Sequence, residues 1–276
     1  FTRNQRQWKA PPLCGDMVDA WEQQRSGMGW DTGNRVVSHN SYLVNLASPD
    51  PAARDKSIAL QRDEMERCEA LHIPLLVAHP GARLGTPRPR GEANVLGGDP
   101  SSEELAGLRR IAKSMDRLHR DLPGFGVVTC VETTVGSGTN LGYDFGHLAA
   151  IRDMVQEPER VAFCFDTCHV TAAGYDMSSA KAAAAVLTAF EESCGMIQMR
   201  VVHLNDSIGA CGSRADRHAH IGDGSCGRSC FSALLKHPAL AGVPMILETA
   251  KEDDAQGRPM DSINMSRLRK IAKSRR

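Results

Sequence analysis

The sequence predicts an α/β fold in which parallel strands alternate with helices and close into a barrel. Three observations predict it. Short apolar, β-branched runs bounded by Gly or Pro recur six times along the 276 residues. Each run is followed by a helical pattern or by a loop leading to one, which is the signature of βα units. Each run also ends on a histidine or a carboxylate, as strands do when their C-terminal ends build a site.

In chain order, "RVVSH" precedes a helical stretch over residues 52–71. "IPLLVAH" leads into the Gly/Pro/Arg-rich segment "PGARLGTPRPRGEANVLGGDP" and a helix over 102–120. "GVVTCVE" comes before a Gly-rich loop and a helix over 145–154, and "RVAFCFD" before a helix over 180–193. "MRVVHLND" introduces a polar loop and a short helix near 231–235, and "VPMILET" the last helix, over 262–273. No repeat or break in composition marks a boundary, so residues 1–276 are read as one barrel domain. The segment between the second strand and its helix is too long for an ordinary connection and reads as a functional or mobile loop.

Composition narrows the function classes. A hydrophobic content of 41% is that of a folded protein. No apolar run approaches the roughly 20 residues of a spanning helix, so no membrane partner is expected. The formal charge is zero, which argues against a basic nucleic-acid coat but leaves room for positive charge carried by bound metal. Nine cysteines without a CxxC pair read as reduced thiols of a cytoplasmic protein rather than a disulfide framework or a thiolate zinc site. "FTRNQRQWKAPPL", with no Met before it and no signal-peptide pattern, reads as the end of an element.

The six strand ends are His39, His79, Glu132, Asp166, His203 and Glu248. A lone histidine at a strand end is usually a structural hydrogen-bonding residue, and a lone carboxylate usually caps the next helix. Six converging at one barrel rim reverse that reading, because buried like charges without cations force large pKa shifts. His169 follows Asp166 by three, in what reads as a loop. "GSRADRHAHIGDG" adds the D-x-H pair Asp216 and His218, with His220 a weaker candidate. Nine nitrogen and oxygen donors suit zinc, manganese or iron and suffice for about three ions. Clustered divalent ions serve phosphodiester hydrolysis.

Here the chain resembles the endonuclease IV family of apurinic/apyrimidinic endonucleases. The stretches that carry the resemblance are "FTRNQRQWKAPPL", "HNSYLVNLASPD", "AHPG", "ETTVGSGTNLG", "FDTCHVTAAGYD", "HLNDS", "GSRADRHAHIGDG" and "PMILET", spread over nearly the whole chain. The resemblance implies a TIM (β/α)8-type barrel with three zinc ions. By that resemblance, His39, His79 and Glu132 hold the first ion. Glu132 bridges to a second, completed by Asp166, His203 and Glu248, while His169, Asp216 and His218 hold the third. Glu132 and Glu248 are the implied catalytic residues, with Glu248 helping to orient the nucleophile. Arg6, Tyr42 and Leu43 are the implied DNA-binding set, entering duplex DNA at the abasic position. The implied reaction is hydrolysis 5′ to an abasic site, leaving a 3′-hydroxyl and a 5′-deoxyribose phosphate, by a monomer. Cys164 and Cys168 are then expected to be packing residues.

Three departures accompany the resemblance. The family's first strand, first helix and most of its second strand precede "FTRNQRQW", so this chain reads as a barrel without them, with two unpaired sheet edges and a longer form carrying about thirty more residues. Ile208 stands where the family usually has Lys. The loop from Ala82 to Pro100 is long, and Arg83, Arg88 and Arg90 are expected to keep a mobile loop solvated in preference to touching DNA. Two competing functions remain: a sugar isomerase or epimerase using Glu132, Asp166, His203 and Glu248 alone, and a lesion-binding protein that does not cut.

Overall fold

Eight α-helices and one curled parallel sheet organise the described residues. The computed structural model describes residues 1–31, 35–89 and 91–274. In chain order the elements are α1 (Gly15–Gly27), β1 (Val37–His39), α2 (Pro51–Ala70), β2 (Leu75–Ala78), α3 (Ser102–Asp121), β3 (Val128–Glu132), α4 (Phe145–Met154) and β4 (Val161–Asp166). There follow α5 (Thr167–Ala173), α6 (Ala180–Cys194), β5 (Met199–His203), β6 (Asp206–Ser207), β7 (His218–Ala219), α7 (Gly227–Leu235), β8 (Met245–Ile246) and α8 (Met260–Lys273). Strands β1 to β5 and β8 pair in parallel, in the order β1-β2-β3-β4-β5-β8, and β6 and β7 form a small antiparallel pair. Each edge strand, β1 and β8, has one neighbour in the sheet.

Strand alternation explains both the core and the curl. Side chains at i and i+2 share a face of a strand. The inner face carries Leu75, Val77, Cys130, Ala162, Cys164 and Val201 as one buried cluster, with Val37 and Ile246 packed against it. The outer face carries Leu76, Val131, Phe163, Phe165 and Val202, buried under the helices. The curl brings the imidazoles of His39 on β1 and His203 on β5 to 6.1 Å between ring centroids. Four strand spacings in a flat sheet would separate them by about 19 Å.

Three local expectations need correction. Helix α1 lies where no element was foreseen; none of its residues is buried, so its sequence lacks an apolar stripe to read. His169 is not in a loop but in the first turn of α5, because Asp166 caps that helix by accepting the backbone N–H of His169 at 2.8 Å. A seven-residue helix is too short for its periodicity to show.

Arg83 and Arg88 do not solvate the long loop; they pin it. Arg88 donates to the carbonyls of Gly136 and Asn140, both at 3.0 Å, and pairs with Glu104 at 3.1 Å. It also lies 4.1 Å over the Tyr143 ring, a cation–π contact. Arg83 pairs with Glu103. Arg90 lies outside the described residues.

Candidate metal centre

Every ligand-type residue at a strand end sits two positions beyond a residue of the inner apolar layer. The pairs are Val37/His39, Val77/His79, Cys130/Glu132, Cys164/Asp166, Val201/His203 and Ile246/Glu248. Alternation therefore turns all six side chains inward, onto one rim above a dry plug. Three further residues complete the ring: His169 from α5, Asp216 from the excursion between β6 and β7, and His218, which opens β7 rather than lying in a loop. That excursion is fixed because Ser207 pairs with His218 across the small sheet.

The nine side chains form overlapping groups. His39 Nε2 and His79 Nε2 approach the same Glu132 oxygen, Oε2, at 3.1 and 3.0 Å. The other oxygen, Oε1, faces His203 Nδ1 at 2.9 Å, so Glu132 spans two groups. Around His203 Nδ1 stand Glu248 Oε2 at 3.0 Å and Asp166 Oδ2 at 3.6 Å. Asp216 Oδ1 lies 3.2 Å from His169 Nε2 and 3.6 Å from His218 Nε2. Ligand-type atoms of His39, His79 and Glu132 come within 4.8 Å of one another, as do those of Glu132, Asp166, His203 and Glu248, and those of Asp166, His169 and His218. His220 points elsewhere, facing Glu252 at 3.0 Å and Asn264.

Burial makes this cluster demanding. Glu132 and Asp166 are 0% exposed and His203 2%. Burial alone would raise the Glu132 carboxyl, but His203 and His79 hold it well below the ordinary carboxylate range. Burial opposes ionisation of Asp166 too, and His169, with His203 and His218, outweighs it, bringing the group to about 2. Burial would lower His203, yet the surrounding acidic groups, Glu132 and Glu248 among them, raise it well above its usual value. Cys164 Sγ comes within 4.8 Å of Glu132 and His203, but burial pushes its thiol up to about 12, so it stays protonated.

The donor set fits divalent metal. His39 gives its Nδ1–H to the Asn40 carbonyl (2.8 Å) and His169 gives its own to the Thr133 carbonyl (2.8 Å). Their Nε2 atoms are left facing the carboxylates, the arrangement that orients metal-binding imidazoles. His218 Nε2 is buried and has no hydrogen-bond partner among the described residues, while two carboxylate oxygens stand 3.6 and 3.9 Å away. A ring nitrogen aimed between carboxylates in this way is the donor set that a cation satisfies.

A cavity of about 500 Å³ opens above the cluster, lined by Tyr42, Leu43, Asn45, Thr134 and Asn140 besides the ligand-type residues. Tyr42 is half exposed, with its ring centroid 5.3 Å from His39 and 5.8 Å from His79. Arg6 is exposed and outside that lining. The carbonyl of its neighbour Gln5 accepts the Ser41 hydroxyl at 2.8 Å, tying the N-terminal segment to the turn that carries Tyr42 and Leu43. Sequence reading missed Thr133 and Asn205, which hold ligand-type side chains through hydrogen bonds; neither has a spacing signal, since both act through residues distant in sequence.

Comparison with known proteins bears on the fold and the family. A family model described as a xylose isomerase-like TIM barrel matches residues 2–270. A "Probable endonuclease 4" of Chloroflexus aurantiacus is 41% identical over 273 residues, covering 98% of this chain and 87% of its own. The chain belongs to the endonuclease IV family. Within that family, the solved endonuclease IV of Thermus thermophilus is 29% identical, with a TM-score of 0.76 over 98% of this chain and 87% of that one. The six-stranded curled sheet is thus a TIM-type barrel wall. A D-tagatose 3-epimerase-like protein shares the fold alone, at 17% identity and a TM-score of 0.64 over 94% of this chain and 83% of that one. No described helix is long and apolar enough to cross a membrane.

Proposed function

We propose that this chain is a DNA repair endonuclease, a monomer that hydrolyses the phosphodiester 5′ to an abasic site in duplex DNA. The products are a 3′-hydroxyl and a 5′-deoxyribose phosphate. The observation that carries the reading is the convergence of nine ligand-type side chains on one rim, with Glu132 shared between two groups. His39, His79 and Glu132 would hold one zinc, Glu132, Asp166, His203 and Glu248 a second, and His169, Asp216 and His218 a third. Zinc bound there supplies Lewis acidity toward phosphate oxygens and neutralises charge that develops on them.

The protein's own residues do the rest. The apolar layer beneath the rim excludes water from below, so groups at the rim act in a medium of low polarity. Glu248 is the most exposed of the three carboxylates around His203 and faces the cavity, where it orients the attacking water. Tyr42 and Leu43 on the cavity wall, with Arg6 on the neighbouring segment, take the place of the extruded abasic nucleotide in the duplex. Metal charge and a few arginines supply phosphate affinity that the neutral chain lacks. The epimerase alternative gives no task to His169, Asp216 and His218, although Asp216 lies within 3.6 Å of both histidines.

The test is Glu132→Gln. Incision of an abasic duplex is expected to be abolished and metal content reduced, with some lesion binding retained. Cutting at the wild-type rate would show the ligand assignment to be wrong.

A further inference from the structure

Asn205 lies two residues past the end of β5 and is fully buried. Its side-chain Oδ1 accepts the backbone N–H of Glu248 at 2.8 Å, and that bond fixes which way the amide faces. Nδ2 is therefore turned toward two carboxylates. It donates to Asp166 Oδ2 at 2.6 Å and to Glu248 Oε2 at 3.3 Å. These are the same two oxygens that face His203 Nδ1, at 3.6 and 3.0 Å. The Asn205 backbone is held independently of its side chain: its N–H donates to Thr167 Oγ1 at 2.9 Å, and the Thr167 hydroxyl donates to its carbonyl at 2.6 Å.

We infer that Asn205 is a positioning residue for the second metal group. Its amide holds Asp166 and Glu248, which come from different strands, with one oxygen each turned toward His203. A carboxylate oxygen has two lone pairs; one takes the amide proton and the other is left for a cation. Fixing both rotamers before metal arrives removes an ordering cost from binding, and partners of this kind usually change metal affinity about 10- to 100-fold. The inference rests on the metal-centre reading given above.

The experiment is Asn205→Ala, studied by zinc competition against a chelator of known affinity, by metal content after dialysis, and by melting with and without zinc. The expected result is about 10- to 100-fold weaker binding of one ion. Content should fall by about one zinc per chain, and the rise in melting temperature on adding zinc should shrink. An asparagine with a purely structural role would lower melting of the metal-free protein and leave the zinc-induced rise and the affinity at wild-type values; that result overturns the inference. If the wild-type chain itself takes up no zinc, the metal-centre reading fails and this inference falls with it. Should the alanine chain not fold, Asn205→Ser, whose hydroxyl is too short to span both carboxylates, gives the same comparison.

Discussion

At the residue scale, the site depends on groups that never face the cavity. Asp206 is 0% exposed, and its carboxylate accepts four backbone N–H groups, from Ser207 at 2.9 Å, Gly222 at 2.8 Å, Gly224 at 3.2 Å and Cys226 at 3.0 Å. Gly224 is required there: a Cβ would lie 2.5 Å from the Ser207 carbonyl oxygen and 2.6 Å from Asp206 Oδ1. This cage closes the excursion that carries Asp216 and His218. Asp206→Ala strands buried backbone donors and is expected to cost about 1–3 kcal/mol or more, the range for leaving a buried hydrogen-bonding group unsatisfied. Urea unfolding checks the stability, and zinc content should fall with it; an unchanged midpoint contradicts the assignment. Six of the nine ligand-type residues were legible because each ends an apolar run, and His169, Asp216 and His218 through their spacing. Asp206, Asn205 and Thr133 were not, because their partners are set by tertiary neighbours rather than by spacing.

At the element scale, α3 shows how the helical layer is anchored and how acid should loosen it. Ser101 and Glu104 form a reciprocal capping box at its start. Glu104 also accepts the Tyr143 hydroxyl at 2.8 Å and pairs with Arg88 from the long loop. Burial alone would raise the Glu104 carboxyl, but hydrogen bonds from Ser101 and Tyr143 take it below its ordinary 4.5. A carboxyl lowered on folding contributes stability that is complete above 4.5 and is lost as pH falls through the folded value. Glu104→Gln should therefore be less stable than wild type near neutrality, with the gap closing below pH 4.5. Urea midpoints across that range test it, and a gap that stays constant with pH contradicts it. The boundaries of α2, α3, α4 and α6 lie within a residue of those read from sequence. Side-chain caps at Asp50, Ser101, Asp144 and Ser179 make their starts legible, whereas α1 has no side-chain cap and no fully buried residue, and α5 is hidden behind the ligand-type residue that caps it.

At the scale of the whole molecule, one strand pattern produces both halves of the architecture. An apolar residue followed two positions later by a ligand-type residue, repeated on six strands, gives a dry interior below and a polar rim above once the sheet curls. The strand ends and their closure into a barrel were legible in the sequence; how near β1 comes to β5 depends on packing between elements and was not. The central claim is that this rim binds metal in order to cut DNA at abasic sites. The most direct measurement is incision of a duplex oligonucleotide bearing one abasic analogue, with metal content determined on the same sample. The account predicts a cut 5′ to the lesion with about three zinc ions per chain. A sample carrying its full complement of metal that leaves the duplex intact would contradict it.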